Sequence, residues 1–473
     1  MAVQRRRDWL KLKQGLFQCL CYPSSVFSKF QVIYIRGEEG TSSTQSFVVL
    51  FIVGMGGVGK TTLARHILCM RGFSLMVENL RTILFFGNYE TGEFYKVLKS
   101  ILKYSKSLRV LDLSYSNTEI SKLPKAIGHL SHLRYLDISN TKICWLPKLF
   151  CKLYHLHVLN LQLCDFNELP EGMNKLTNLH HLCAESKTVS LISGIGKLLC
   201  LQELKEFHVG KKKGHKIEEL KDLKELRGQL LIQNLENIDN KEEAMNAKLR
   251  EKKHLDALHL YFEIKDGPVT RSGFILTRML KVFSKSENTP NLKGLLEGHE
   301  PYCDIKELVI KGYDSDMFPS WLVYRERFTS LKSIHLSSCD KLTSLPPLGQ
   351  LPSLRVLHIE TLPALRKIGV ELYGGVNGAV PSLEDLKLQD LKEFEEWLEV
   401  QGQRLFPCLK KLHIEQCLKL TKFALLMLNL PVTELKINSC GDLGSALPRC
   451  LQRLTSLTML KISLPTHDIS DFA

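Results

Sequence analysis

The residues best suited to chemistry lie near the start of the chain, in the segment Gly54, Met55, Gly56, Gly57, Val58, Gly59, Lys60, Thr61 and Thr62. An apolar run at 47–53 precedes this segment and a helical pattern at 63–68 follows it, which is the order strand, GxxxxGK[ST] loop, helix. Glycines let backbone amides curl around phosphates, because no Cβ stands in the way. Lys60 would reach the β- and γ-phosphates, and the Thr61 hydroxyl would bind Mg²⁺. The segment therefore predicts a site for ADP or ATP with Mg²⁺.

Hydrolysis needs more than this loop. An aspartate at the end of a second strand must hold Mg²⁺, and another group must orient water. Only 46 residues separate Thr61 from Leu108, and they offer one further strand candidate, 82–86, with no acidic residue at its end. We therefore predict no catalytic residues. Three interpretations stay open: a vestigial loop with weak or lost nucleotide binding, binding without turnover, and an active ATPase.

A second pattern repeats along most of the chain. Segments of the form Leu-x-x-Leu-x-Leu begin at residues 108, 133, 156 and 179, which are 25, 23 and 23 residues apart. Later copies begin at 331, 354, 383, 409, 432 and 457, and weaker ones near 201, 226, 255 and 305. This is the leucine-rich repeat, in which each short strand buries its apolar face only against its neighbours. The pattern predicts an α/β leucine-rich-repeat solenoid with a curved parallel sheet, preceded by a truncated P-loop β-α fragment.

The ninth position of the repeat is Thr141 in one copy and a cysteine in others, at 164, 339, 417 and 440. We interpret this position as a tight inner corner where a small side chain meets backbone groups. The 14 cysteines of the chain then predict reduced thiols and a cytoplasmic protein, with no disulfide framework or zinc site. The sequence has no N-x-S/T sequon and no apolar stretch of the ~18 residues that a membrane span needs.

The fifth position of each strand should point to solvent on the concave side of the sheet and should align from strand to strand. It is occupied by Asp112, Asp137, Asn160, His335, His358, Lys387, His413, Lys436 and Lys461. The early copies are acidic or neutral and the late copies are basic. The row is either a solvated face of consensus residues or a graded recognition surface for a protein partner.

The net charge of +14 is unevenly distributed. Residues 1–45 carry +4, residues 46–106 carry +5, and the other 367 residues carry only +5. A nucleic-acid-binding protein usually spreads basic charge along its main surface. The distribution therefore argues against specific nucleic-acid binding and favours a protein partner.

The loop and the repeats together resemble plant nucleotide-binding leucine-rich-repeat (NB-ARC–LRR) disease resistance proteins. The resemblance lies in residues 54–65, 108–114 and 217–237. It implies a defence protein whose repeats sense a pathogen effector or a guarded host protein, and whose loop holds ADP when off and ATP when on. The second aspartate motif, the winged-helix segment and the Met-His-Asp latch of that family are not found, so the resemblance implies a chain truncated in the NB-ARC domain.

Four regions follow from these patterns. Residues 1–45 are unassigned, 46–106 are a P-loop remnant with its connector, 107–465 are the repeats, and 466–473 are a tail. Irregular insertions are expected at about 205–305, including an exposed loop at 211–214 and a charged helix at 242–253. An adaptor or decoy with no nucleotide role remains the alternative to a nucleotide-binding receptor fragment.

Overall fold

The computed structural model describes residues 31–37, 47–53, 80–86, 91–115, 119–263, 294–316, 318–323, 327–374, 379–398, 405–423, 430–441 and 451–463. The chain divides into two compact units, residues 1–170 (unit 1) and 171–473 (unit 2). Short strands recur at the leucine pattern in both units, which confirms the leucine-rich-repeat fold.

The strands of unit 1 are β1 (Gln31–Gly37), β2 (Phe47–Val53), β3 (Thr82–Phe86), β4 (Val110–Tyr115), β5 (Tyr135–Asp137) and β6 (Val158–Asn160). Its α-helix is α1 (Thr91–Tyr104), and its 3-10 helices are Lys125–His129 and Lys148–Lys152. Strand β1 pairs with β2 antiparallel, whereas β2 to β6 pair in chain order and parallel.

The strands of unit 2 are β7 (His181–Cys183), β8 (Glu206–His208), β9 (Arg227–Gln233), β10 (His254–Tyr261), β11 (Glu307–Lys311), β12 (Ser333–Ser337), β13 (Val356–Glu360), β14 (Lys367–Ile368), β15 (Asp385–Gln389), β16 (Glu396–Trp397), β17 (Lys411–Glu415), β18 (Lys422–Phe423), β19 (Glu434–Asn438) and β20 (Met459–Ser463). Its α-helices are α2 (Ser186–Val189), α3 (Lys241–Met245) and α4 (Ser320–Val323). Its 3-10 helices are Met173–Lys175, Ile195–Lys197, Ile217–Leu220, Leu235–Asn237, Leu249–Glu251, Leu296–His299 and Leu348–Gln350.

Ten of these strands form one parallel sheet in the order β8, β9, β10, β11, β12, β13, β15, β17, β19, β20. The short strands β14, β16 and β18 form a second parallel sheet on the return side of the repeats. Alternation decides which side chains are buried: in β15, Leu386 and Leu388 are fully buried, and Lys387 between them is only half-buried. Each repeat thus completes its core with the leucines of its neighbours.

Strands β11, β12, β13, β15, β17 and β19 of the large sheet end in a common turn. The eighth residue of each of these repeats has a positive φ, for example 52° at Ser338, 52° at Thr361 and 54° at Gln416. Its amide donates to the seventh residue of the next repeat, as in Ser338 N to Glu360 O at 2.9 Å. This conformation costs an L-residue about 1–2 kcal/mol. The same hydrogen bond recurs between successive repeats, which offsets that cost and fixes how each repeat is positioned against the next.

The small side chains at the ninth position lie at a buried inner corner, as predicted. Thr141 Oγ1 donates to Ile138 O at 2.6 Å, and Cys164 Sγ donates to the same carbonyl at 3.1 Å. Cys440 Sγ donates to Ile414 O at 3.4 Å. Burial raises the pKa of the Cys339 thiol to about 12. These groups serve as hydrogen-bond donors inside the repeats, and the described cysteines are free thiols.

The repeats begin earlier than the leucine spacing suggested. Strand β3 was assigned to the P-loop remnant, but it pairs in parallel with β4 in the register of a repeat strand. Arg109 N and Val110 N both donate to Arg81 O, at 2.8 and 2.9 Å, as successive repeats do. Leu80 is fully buried at the first position of this copy. The repeat region therefore starts at Leu80 and not at residue 107.

The middle of the chain also differs from the prediction. Strands β8 to β11 are members of the large sheet, and within them the pairing of β10 with β9 shifts register between Leu255 and Ala257. The rest of the irregularity of 205–305 lies outside these strands. The expected charged helix at 242–253 is a short α3 followed by the 3-10 helix Leu249–Glu251. Lys252 then turns fully into the interior. A lysine in a charged run was expected to be solvated, and this one is not.

Candidate recognition surface

The solvent face of the large sheet carries the predicted row at the fifth position. The strand registers place the predicted residues side by side, in the order His335, His358, Lys387, His413, Lys436 and Lys461. The same row extends to three residues that were not predicted, Leu231, His259 and Val309. Neighbouring strands of a sheet lie about 4.8 Å apart. The five site residues predicted from His335 to Lys436 therefore stand on consecutive rungs, and their alignment is confirmed.

The row is not an isolated line of positive charge, because acidic residues of the flanking rows pair with it. Glu360 contacts His335 Nε2 at 3.3 Å and Lys387 Nζ at 2.7 Å. Asp385 Oδ1 lies 3.5 Å from His358 Nε2. The surface here is a lattice of cross-strand contacts, called the ion-pair lattice below. Its lysines form ion pairs with carboxylates, and its histidine–carboxylate contacts become ion pairs when the ring is protonated.

The same arrangement continues toward the end of the sheet. His413 Nε2 lies 3.0 Å from Glu434 Oε1, and Lys436 Nζ lies 2.7 Å from Glu415 Oε1. These side chains are partly exposed, with 16 to 29% of each accessible. The basic character expected for the late copies is therefore largely compensated within the sheet itself.

The pKa shifts on this face follow from the pairing. Burial would raise the pKa of Glu360, but the hydrogen bond from Lys387 and the nearby His335 lower it below its ordinary value. The His358 ring, with Nε2 3.5 Å from Oδ1, lowers the pKa of Asp385. Burial lowers the pKa of His335, against the opposite influence of Glu360. The carboxylates are thus held in the charged form that the ion pairs require.

An apolar and aromatic patch lies beside these ion pairs, and the sequence analysis did not select it. Its members, here called the Tyr261 patch, are Leu231, His259, Tyr261, Val309 and Lys311. The ring centroids of His259 and Tyr261 lie 6.3 Å apart with an interplanar angle of 10°, and Lys311 Nζ lies 5.6 Å from the Tyr261 centroid. Val309 is only 6% exposed although its position faces solvent. The signal was missed because these repeats are the weaker leucine copies.

The part of the predicted row that lies in unit 1 differs from the part in unit 2, because two of its carboxylates are buried. Asp112 is 3% exposed and Asp137 is 1% exposed. Asp112 Oδ1 accepts from Ser114 N at 2.9 Å and from Ser114 Oγ at 2.6 Å. The prediction that Asp112 and Asp137 face solvent as recognition residues is therefore wrong.

Asp137 shows why such a carboxylate is buried. Its Oδ1 accepts from Ser139 N at 3.0 Å and Ser139 Oγ at 2.6 Å, and its Oδ2 accepts from Tyr135 Oη at 3.1 Å and Asn160 Nδ2 at 3.0 Å. The hydroxyl of Ser139, two residues later, covers the carboxylate at the end of the strand. Asn160 is half-buried and acts in this network, so the early part of the row stabilises the repeats.

The predicted nucleotide site, residues 54–62 with the Mg²⁺ ligand Thr61, lies outside the described residues. The apolar run that leads into it is strand β2, in parallel with β3, so the expected strand is confirmed. No cluster of histidine, cysteine and carboxylate side chains that could hold a metal occurs in the described ranges. Among the described helices, none is long and apolar enough to cross a membrane.

Comparison with known proteins identifies the type of repeat. The family model described as R13L1/DRL21 LRRs matches residues 217–362. A disease resistance protein of Arabidopsis thaliana is 38% identical over 357 residues, which are 73% of this chain and 24% of that protein. The disease resistance protein RGA1 of Solanum bulbocastanum is 38% identical over 322 residues, 67% of this chain and 30% of that protein. The chain is a relative of plant disease resistance proteins.

The match to these disease resistance proteins covers most of this chain but little of theirs. The chain spans about a quarter of the length of the curated relatives it matches, 24% and 30% in the two cases above. A leucine-rich-repeat protein of Leptospira interrogans superposes on 83% of this chain, with 20% identity and a TM-score of 0.45. The homology to disease resistance proteins therefore rests on sequence, and it agrees with the resemblance drawn from the loop and repeats.

Proposed function

We propose that this chain acts in plant defence and that the solvent face of the large sheet in unit 2 binds a protein. The proposal rests on one observation: the ion-pair lattice and the Tyr261 patch lie on neighbouring strands of the same sheet face. Protein interfaces combine aromatic anchors with a polar surround that sets orientation. The relatives named as disease resistance proteins make a pathogen effector or a guarded host protein the expected partner.

The chemistry of the face fits protein recognition better than catalysis. Its acidic and basic groups are paired at 2.7 to 3.5 Å, which suits electrostatic selection of a partner. Tyr261 and Leu231 offer contact area at a small cost in conformational freedom. We accordingly assign the chain a binding role and place it in the cytoplasm, where its free cysteines would stay reduced.

A pair of double variants tests the proposal. Tyr261→Ala with Lys387→Ala should abolish capture of proteins that the wild-type chain retains from plant extract. Tyr154→Ala with Lys419→Ala is the matched control, because Tyr154 is an exposed tyrosine of unit 1. Lys419 pairs with Glu393 at 2.6 Å, as Lys387 pairs with Glu360 at 2.7 Å. Equal losses in both variants, or none in the first, would refute the assignment of this face.

For the nucleotide loop we propose residual binding of ADP or ATP at most, without turnover, since the sequence after Thr61 lacks the second aspartate motif. A ligand at 100 times its Kd stabilises the folded state by about 2.7 kcal/mol. A melting shift with Mg-ADP that Lys60→Ala removes would support binding. Absence of any shift would favour an adaptor or decoy, and ATP hydrolysis that depends on Lys60 would establish an ATPase.

A further inference from the structure

A group of exposed lysines lies outside the strands near the start of unit 2. Its members, here called the lysine patch, are Lys175, Lys197, Lys211, Lys212 and Lys213. The first two end the 3-10 helices Met173–Lys175 and Ile195–Lys197. The other three occupy the loop that follows β8. Three successive coil segments of unit 2 therefore present positive charge to solvent.

Hydrogen bonds hold these three segments against one another. Asn174 Nδ2 donates to Ser193 O at 3.0 Å, which joins the first segment to the second. Gly194 N donates to Gly214 O at 2.8 Å, which joins the second segment to the loop. The φ of Gly214 is 84°, and a Cβ at this residue would collide with Ser193 Oγ. The backbone thus brings together lysines that are far apart in the sequence.

The lysines of the loop stand on a turn that its own backbone closes. Gly210 N donates to His215 O at 2.7 Å, and His215 N donates to Lys212 O at 3.1 Å. Both ends of the turn are therefore fixed, and the exposed side chains of 211–213 point away from a defined backbone.

The positive charge of the lysine patch is not compensated within the protein. In the part of the chain that the structure describes, none of its five members forms an ion pair with a carboxylate. The neighbouring carboxylates have other partners. Glu219 Oε2 accepts from Gly196 N at 2.9 Å, and Glu243 Oε1 lies 3.1 Å from Lys216 Nζ. Glu243, and to a smaller extent Glu218, raise the pKa of Lys216.

Other lysines outside the strands of the large sheet provide an internal comparison. Lys224 Nζ lies 2.8 Å from Glu251 Oε2, and Lys419 Nζ lies 2.6 Å from Glu393 Oε1. In both cases a carboxylate of the adjacent coil neutralises the ammonium group. The lysine patch lacks such partners, so its charge is available to an external anion.

We propose that the lysine patch binds an anionic membrane surface through the headgroups of its lipids. Clusters of about 4–8 basic residues are attracted to the anionic cytoplasmic leaflet. An ammonium group is a compact point charge without the planar fork of arginine, and this suits a diffuse layer of headgroups better than one carboxylate in fixed geometry. The loop from Gly210 to Lys216 contains no Tyr, Trp or Phe that could anchor a protein interface.

The test is cosedimentation of the full chain with vesicles. Phosphatidylcholine and phosphatidylserine in equal parts form the anionic vesicles, and phosphatidylcholine alone forms the neutral ones. The wild type should bind only the anionic vesicles. Raising the salt from about 0.1 M to about 1 M shortens the Debye length from about 10 Å to about 3 Å and should release it.

The variant for this test carries Lys211→Gln, Lys212→Gln and Lys213→Gln. It should bind anionic vesicles about 100-fold more weakly, because each lysine near such a surface contributes about fivefold. Replacing the same three lysines with arginine should leave the affinity unchanged, since the charge is kept. If circular dichroism shows that the triple glutamine variant is misfolded, each single glutamine variant should still lose about fivefold.

The matched control carries Lys253→Gln, Lys332→Gln and Lys392→Gln, which removes the same charge from three other exposed lysines of unit 2. An equal loss in this control would overturn the proposal, because net charge and not the lysine patch would then be responsible. Absence of binding by the wild type, or unchanged binding by the triple variant, would also overturn it. Tighter binding of a hexaglutamate peptide or a single-stranded oligonucleotide that depends on Lys211, Lys212 and Lys213 would assign the patch to another partner and overturn it as well.

The proposal goes beyond the protein-binding role of the sheet face and does not depend on it. Tyr261→Ala with Lys387→Ala should leave vesicle binding unchanged, because neither residue belongs to the lysine patch. Capture of extract proteins without vesicle binding by the wild type would refute only the role of the lysine patch. Vesicle binding that requires the patch, without capture of extract proteins, would refute only the role of the sheet face.

Discussion

The buried Lys252 gives a quantitative test of the fold. Its side chain is fully buried, and Nζ donates to Leu220 O at 2.5 Å and to Leu223 O at 3.1 Å. Leu220 is the last residue of the 3-10 helix Ile217–Leu220, and its carbonyl also accepts from Leu223 N at 3.2 Å, whereas Leu223 lies just beyond that helix. Burial lowers the pKa of Lys252 from 10.5 to about 8. We expect Lys252→Met to change how unfolding depends on pH.

The sign follows from proton uptake. Between pH 8 and pH 10.5 the unfolded chain holds the proton on Lys252, whereas the folded chain has released it. The free energy of unfolding therefore rises with pH in this window, and below pH 8 the full desolvation penalty is present. From these two pKa values, the wild type should gain about 1.4 kcal/mol relative to Lys252→Met between pH 7 and pH 9.

The assay is urea unfolding at pH 7 and pH 9, followed by fluorescence of the buried Trp321 and Trp397, which belong to the same unit. The contributions of other titrating groups to the pH dependence cancel when the free energies of unfolding of wild type and variant are subtracted. Lys253→Met is the control, because Lys253 is exposed next to Lys252 and should show no pH-dependent difference. If the free energies of unfolding of the wild type and Lys252→Met change by the same amount from pH 7 to pH 9, the ammonium group is not desolvated and the reasoning is refuted.

Three single substitutions probe close contacts in the two units. Gly128→Ala should destabilise unit 1 by roughly 1–3 kcal/mol in thermal unfolding, because its Cβ would lie 2.4 Å from Leu149 Cβ and 2.5 Å from Leu149 O. An unchanged melting temperature would contradict this packing. Asp137→Ala should cost about 1–3 kcal/mol in urea unfolding, since it removes the acceptor of four hydrogen bonds. Glu360→Gln should lower the pKa of His335 further, because Glu360 favours the protonated ring; an NMR titration of that imidazole should move to lower pH, and a higher value would exclude the ion pair.

Repeat spacing was sufficient to predict the register of strands β12, β13, β15, β17, β19 and β20 of the large sheet. Each copy fixes which residues point to solvent, and copies of similar length stack in phase. The alignment of His335, His358 and Lys387 followed from this argument and is confirmed. Leucine spacing does not predict the start of the repeats at Leu80, because Ile83 and Phe85 occupy the fourth and sixth positions of this copy in place of leucines. The α-helix Thr91–Tyr104 also lengthens that copy.

Burial of polar groups could not be predicted from the same spacing. Asp112 and Asp137 occupy a position that alternation directs to solvent, yet serine hydroxyls two residues later enclose them. Lys252 sits in a run of charges that normally marks a solvated helix. For Asp112 and Asp137 the deciding donors are local, whereas the acceptors for Lys252 are the carbonyls of Leu220 and Leu223, which only the fold brings close.

The pairing on the unit 2 face limits what charge can contribute to partner binding. A charged group of a partner must compete with existing contacts such as Lys387 to Glu360 at 2.7 Å, and exchanging one partly exposed ion pair for another changes the free energy little. Affinity must then come mainly from desolvating the Tyr261 patch, while the ion-pair lattice selects orientation and the rate of encounter. Tyr261→Ala should accordingly speed dissociation of a bound partner, whereas Lys387→Ala should mainly alter association and its dependence on salt.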